Sequence, residues 1–148
     1  MNHKIAVCTA VFCLLPVLSG CSMVEEGQKL DAESKKFTEE VVPLMTGSCD
    51  SPRLAEIASP ELLEVTSMEK LQHVCRYFSK KLGRLKNTTE TLGDVKISFL
   101  PKGQQITATY MVESQFEKGI AQSQIVLIRH NDKWQVLSFY LNSDALLE

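Results

Sequence analysis

The spacing of apolar and polar positions divides the chain into stretches of different period. From Ile5 to Leu18 apolar residues run almost without a break, and no charge falls between Ile5 and Ser22. From about Gln28 to Met45 the period becomes helical. Leu30, Phe37, Val41 and Leu44 share a face, while Asp31–Lys35, Lys35–Glu39 and Lys36–Glu40 pair opposite charges four apart on the solvated side. Gly47 and Ser48 end that helix. Ser51-Pro52 and Ser59-Pro60 each place a capping hydroxyl before a proline at the first helical position, which predicts two short helical turns. Ser67 caps a longer helix from Met68 to about Leu82, with Leu71, Cys75, Phe78 and Leu82 on one face and Val74 beside them. Gly83 supplies the stop.

From Leu92 the period switches to two. Val95, Ile97 and Phe99 alternate with Lys96 and Ser98 before a turn at Pro101-Lys102-Gly103. Ile106, Ala108, Tyr110, Val112 and Phe116 continue the alternation to a turn at Lys118-Gly119. Ile120–Arg129 and Lys133–Leu141 complete the set around an Asn131-Asp132 turn. Short turns between consecutive strands mean an antiparallel meander. Helices first and strands afterwards predict an α+β domain, with the helices packed on one face of a four-stranded antiparallel sheet. Trp134, the single tryptophan, is expected to pack against the first helix around Phe37 and Val41.

The N-terminal run is about 14 residues long, short for a membrane span and suited to the core of an export signal, with Lys4 supplying the positive flank. Leu18-Ser19-Gly20-Cys21 follows it directly. That tetrapeptide resembles the lipobox of bacterial lipoproteins. The resemblance implies diacylation of Cys21, cleavage before it, and a mature chain held to the envelope by lipid. Small residues let the chain lie extended in the peptidase, and the thiol carries the thioether-linked diacylglycerol. Ser22 is not the Asp that retains such proteins in the inner membrane, so the outer membrane, facing the periplasm, is favoured in a Gram-negative host. The expected organisation is a signal over 1–20, a lipidated tether over 21–27 and one α+β domain over 28–148. Two or more acyl chains give a stable anchor.

Removing the signal takes one Lys and no acid from 16 basic and 18 acidic residues, leaving a formal charge of −3. A mildly acidic, mixed surface argues against a nucleic-acid partner and against a polybasic membrane patch. The roughly 130 residues that remain suffice for one domain with a real core. Cys8 and Cys13 leave with the signal and Cys21 is taken by lipid, so Cys49 and Cys75 stand as an isolated pair in an oxidising compartment, where a disulfide is expected. The alternatives are two buried thiols, or metal ligation with His73. His73 and Cys75 are two apart and diverge on a helix.

The element order, with its final Asp132-Lys133-Trp134-Gln135-Val136 strand, resembles the nuclear transport factor two-like, or cystatin-like, α+β superfamily over residues 28–142. That resemblance implies a curved sheet and helices enclosing a conical pocket. It does not choose among isomerases, dehydratases, binding modules and inert adaptors. Tyr110 and Asp94 are the pair that a pocket enzyme could use, as oxyanion donor and base. Against that, Tyr110 would fill the core with its hydroxyl satisfied and Asp94 would belong to a Gly93-Asp94 turn. His130 reads as a solvated hairpin residue and His73 as exposed. Asn87-Thr88-Thr89 reads as a polar loop, and Lys80, Lys81, Arg84 and Lys86 as a basic helix end meeting its dipole.

No catalytic triad, metal cluster or cofactor signature rises from these residues. The expected function is therefore a lipid-anchored, non-enzymatic module that binds an envelope protein or a small apolar ligand. A cone-pocket enzyme and a purely structural envelope protein are the alternatives. Cys21→Ser should abolish acylation and leave the signal uncut by the lipoprotein peptidase. Mass spectrometry of the mature N-terminus reads this directly, and an unmodified start elsewhere in the wild-type chain would refute the lipobox.

Overall fold

Among the described residues four helices precede four strands, and the switch of period marks the boundary between them. The computed structural model describes residues 21–147. The expected export signal, with Leu18-Ser19-Gly20, lies outside the described residues. The elements are α1 (Cys21–Thr46), α2 (Pro52–Ile57), α3 (Pro60–Val65), α4 (Met68–Leu82), β1 (Leu85–Leu100), β2 (Gly103–Phe116), β3 (Gly119–His130) and β4 (Lys133–Asn142), with a 3-10 turn at Asp144–Leu146. The strands pair antiparallel in the order β1-β2-β3-β4, an α+β fold with a meander sheet.

Serine caps behave as the sequence requires. Ser51, Ser59 and Ser67 side chains accept the amides of Arg53, Leu62 and Lys70. Asn131 and Asp132 both take left-handed backbone, at φ 48° and 62°, as a two-residue hairpin turn demands.

Three boundaries differ from the sequence reading. First, residues 22–27, expected as a short tether, are helical and continuous with the rest of α1. Second, β1 starts at Leu85, which places Asn87-Thr88-Thr89 in a strand and not in a loop. Its register shifts between Leu85 and Asn87 and again between Thr88 and Glu90. These irregularities break the alternation that would have announced the strand. Third, Gly93 and Asp94 sit in mid-strand opposite Tyr110 and Thr109 rather than at a turn. A side chain on Gly93 would bring its Cβ to 2.6 Å from Tyr110 Cδ1 and 2.8 Å from Tyr110 Cα. Glycine here permits a close approach, the other common meaning of Gly within a strand.

The core lies between one sheet face and the helices. Tyr110, Val112, Phe116, Ile125, Leu127 and Val136 point into it and are essentially unexposed. Leu30, Val41, Val42 and Met45 come from α1, Leu54 and Ile57 from α2, and Leu71 and Leu82 from α4. The buried face of α1 also includes Ser34 and Thr38, while Phe37 and Leu44 are only half-buried. Thr38 donates back to the Ser34 carbonyl at 2.9 Å, which satisfies a hydroxyl that water cannot reach.

The free edge of β4 is partly covered. Ala58 forms a parallel bridge with Val136, and the Ser59 amide donates to the Val136 carbonyl at 3.0 Å. Cys49 and Cys75 form a disulfide at a Cα–Cα distance of 5.4 Å, joining the segment after α1 to the middle of α4. Closing a loop of 26 residues contributes about 3–4 kcal/mol in the chain-entropy account. Cys49→Ala with Cys75→Ala should lower unfolding free energy by about that amount in urea titration. A loss below about 1 kcal/mol would mean that the reduced unfolded chain is already compact.

Candidate functional site

Tyr110 is where the pocket-enzyme reading meets the structure. Its side chain is 1% exposed. Its hydroxyl lies 2.8 Å from Ser34 Oγ, and donates to Asp31 Oδ1 at 3.0 Å and to the Asp31 carbonyl at 3.3 Å. Burial, chiefly, and the Asp31 and Asp94 charges push the phenol up to about 12, although the Ser34 hydrogen bond pulls the other way. Asp94 is exposed, and the pleat sends its side chain to the opposite face of the sheet from Tyr110. The two are not brought together. Tyr110 is a clamp that fixes α1 on the sheet.

The remaining sequence candidates are also accounted for. His73 is exposed on α4. His130 is not a free hairpin residue: its Nε2 lies 2.8 Å from Glu61 Oε1, tying the end of β3 to α3. Burial raises the Glu61 carboxyl, but its own backbone amide, the His130 charge and hydrogen bonds from His130 and Ser59 outweigh burial and hold it below its usual range. In the basic cluster, Lys80 and Lys81 occupy the last turn of α4, where cations suit the helix dipole. Arg84 donates from its backbone amide and its Nε to Glu117, both at 2.9 Å. The backbone contact and then the side chain hold Glu117 below the usual carboxylate range. Among the described residues, no group of three or more His, Cys, Asp or Glu is placed to hold a metal ion.

The prominent concavity is elsewhere. A groove of about 1110 Å³ runs between α1, α2 and the β3–β4 hairpin. Its apolar lining is the half-buried Phe37 over the nearly buried Leu30, Ile57 and Trp134. Five acids (Glu26, Glu33, Glu40, Glu56 and Asp132) and five bases (Lys29, Lys36, Arg53, Arg129 and Lys133) supply its walls. Many of these neutralise one another. Arg53 pairs with Glu40 and Glu56, Lys29 with Glu33, and Arg129 with Glu33 at 3.5 Å and Asp132 at 3.3 Å. Trp134 is 8% exposed, as the core reading requires.

Arg129 and Trp134 face each other across β3 and β4. Both carry a buried N–H donor, Nε of Arg129 and Nε1 of Trp134, with no acceptor among the described residues. Buried polar atoms normally have partners; Ser114 Oγ and Ser123 Oγ, further along the sheet, share this condition among the described residues. The sequence reading did not find this site. Its parts lie about 100 residues apart along the chain, and the only local signal was an arginine entering a tight turn beside the lone tryptophan. The chemistry is that of recognition. An apolar strip suits aliphatic or aromatic side chains, and balanced charges suit polar backbone.

The Tyr110 clamp makes a pH prediction. An unfolded phenol gives up its proton near pH 10, and the folded one near 12. The clamp's contribution is therefore whole below pH 10 and is lost as pH rises through about 12. Tyr110→Phe should cost about 1–2 kcal/mol at neutral pH and flatten the decline of stability across that alkaline window, read by urea denaturation. A wild-type slope retained in the variant would sink the assignment.

The likeness to the nuclear transport factor two-like superfamily rests on element order and the final strand. Comparison of the chain with protein families, with curated proteins and with solved structures finds no match.

Proposed function

We propose that the protein is a lipid-anchored module of the bacterial envelope that binds a segment of a protein partner in the groove between α1, α2 and the β3–β4 hairpin, without performing chemistry. The observation that carries this reading is the groove's composition. An apolar strip with charge-balanced walls suits an extended peptide, which brings side chains for the strip and a polar backbone for the paired charges. The groove is not an enclosed cavity, which favours a polymer over the small apolar ligand that such a cavity would take.

The enzyme alternative has less to stand on. Tyr110, its best donor, is spent on Ser34 and Asp31, and Asp94 is on the other face of the sheet. Anchorage through Cys21 supports an address in the envelope, facing the periplasm from the outer membrane where the host has one. No described helix is long and apolar enough to cross a membrane.

The reading is tested by photo-crosslinking in intact cells. A photoreactive amino acid at Lys36, on the groove wall, should yield one discrete protein adduct. The same group at Gln124, exposed on the open face of the sheet, should yield none. Equal labelling from the two positions, or none from Lys36, would overturn the groove as the binding site.

A further inference from the structure

One end of the molecule collects features that the groove does not use. In an antiparallel meander, the β1–β2 and β3–β4 turns close the same end of the sheet. The β1–β2 hairpin projects furthest. It continues for four residue pairs, Ile97↔Ile106 to Leu100↔Gly103, past the last pair that β2 shares with β3, Thr107↔Ile128. At 3.3 Å per residue that is about 13 Å of unsupported ribbon. Its side chains are unusually apolar for such a place. Phe99 is 82% exposed, Leu100 48% and Ile97 41%, with Lys96 and Lys102 beside them.

The start of α1 points to the same end. Lys35 and Glu39 lie beside Thr88–Thr91, towards the far end of β1. Asp31 and Ser34 hold Tyr110 in mid-sheet. Glu33 then meets Arg129, and Glu26 shares the groove wall with Asp132 and Lys133 of the β3–β4 turn. Going backwards along α1 therefore leads out past the hairpin turns. From Glu33 to Cys21 the helix adds about 18 Å at 1.5 Å per residue. Met23 and Val24, 77% and 60% exposed, lie in its first turns.

Because helix runs from Cys21 onward, no slack chain separates the lipid-bearing residue from the folded domain. A rigid rod fixes which end of the domain meets the leaflet. We infer that the β1–β2 hairpin tip, Ile97–Leu100, rests in the interfacial layer of the same bilayer that receives the Cys21 acyl chains, making a second, non-covalent membrane contact. This rests on the lipid anchorage proposed above. The occupant is a lipid surface because the exposed apolar residues of the tip and those around the anchor lie at one end. Glu25 and Glu26 on α1 offset Lys96 and Lys102, so the contact is made by apolar burial rather than by charge, as in other interfacial anchors.

The test uses the full acylated chain with Phe99→Trp, reconstituted in phosphatidylethanolamine–phosphatidylglycerol vesicles with and without brominated acyl chains. Wild-type protein, whose indole is the buried Trp134, is the internal control. The indole added at position 99 should emit blue-shifted and lose most of its emission to the brominated lipid, while the wild type keeps its own. Emission that is red-shifted and unquenched in a protein whose Cys21 is acylated by mass would overturn the inference and leave the anchor standing. A blue-shifted but unquenched signal, with a doubled mass by sedimentation, would overturn it in favour of a second copy covering the tip. An unmodified Cys21 would remove the anchor and the inference together.

Discussion

The position of α1 across the sheet decides most of what this protein can do. Ser34, Thr38, Val41, Val42 and Met45 lie against the strands, and the Tyr110 hydroxyl ties the helix to them through Ser34 and Asp31. The path of that helix fills the inward face and leaves an open groove along its flank, where Phe37 and Leu30 meet Trp134 and Ile57. It also aims the first turns of α1 out past the hairpin ends. A helix seated one position around its axis would expose Val41 and bury Lys35 and Glu39, so the small hydroxyl residues at 34 and 38 matter as much as the aliphatic ones. They let helix and sheet approach closely and carry their own hydrogen bonds.

Elements with a single strong period were legible in the sequence. The face of α4, the serine caps, the β2 alternation and the meander turns all follow from spacing and turn chemistry. The disulfide was legible because the expected compartment and the cysteine count pointed to Cys49 and Cys75 as a pair. What was missed follows from physical rules that compete with periodicity. The start of β1 is hidden by two register irregularities and a run of Asn and Thr that also suits a loop. Gly93 was read as a turn because glycine serves both turns and close approaches, and only the Tyr110 ring above it shows which. The inward polar residues of α1 do not look like core until Tyr110 is placed opposite them.

The candidate site divides in the same way. Tyr110 was singled out as a candidate ligand-binding residue, with a buried core role as the competing reading, and its partners lie 76 and 79 positions away on a helix face that reads as polar. His130 looked solvated because Glu61 belongs to a different element. The groove could not be seen from the chain at all, since it is the gap left where three elements meet, and gaps have no local signature.

The sequence distances within the Tyr110 clamp bear on how the chain acquires its shape. Every strand pairs with its neighbour in sequence, and the disulfide closes only 26 residues, so sheet and helical half each assemble from contacts near at hand. The seam between α1 and the sheet spans more than 70 residues, and loop-closure entropy must be met before its contacts form. α1 thus comes first in the chain and is among the last segments to be covered. Its waiting surface is interrupted at Ser34 and Thr38 rather than continuously oily. Those two hydroxyls make the exposed helix a poorer template for sticking to other chains, at the moment when the protein has most to lose from doing so.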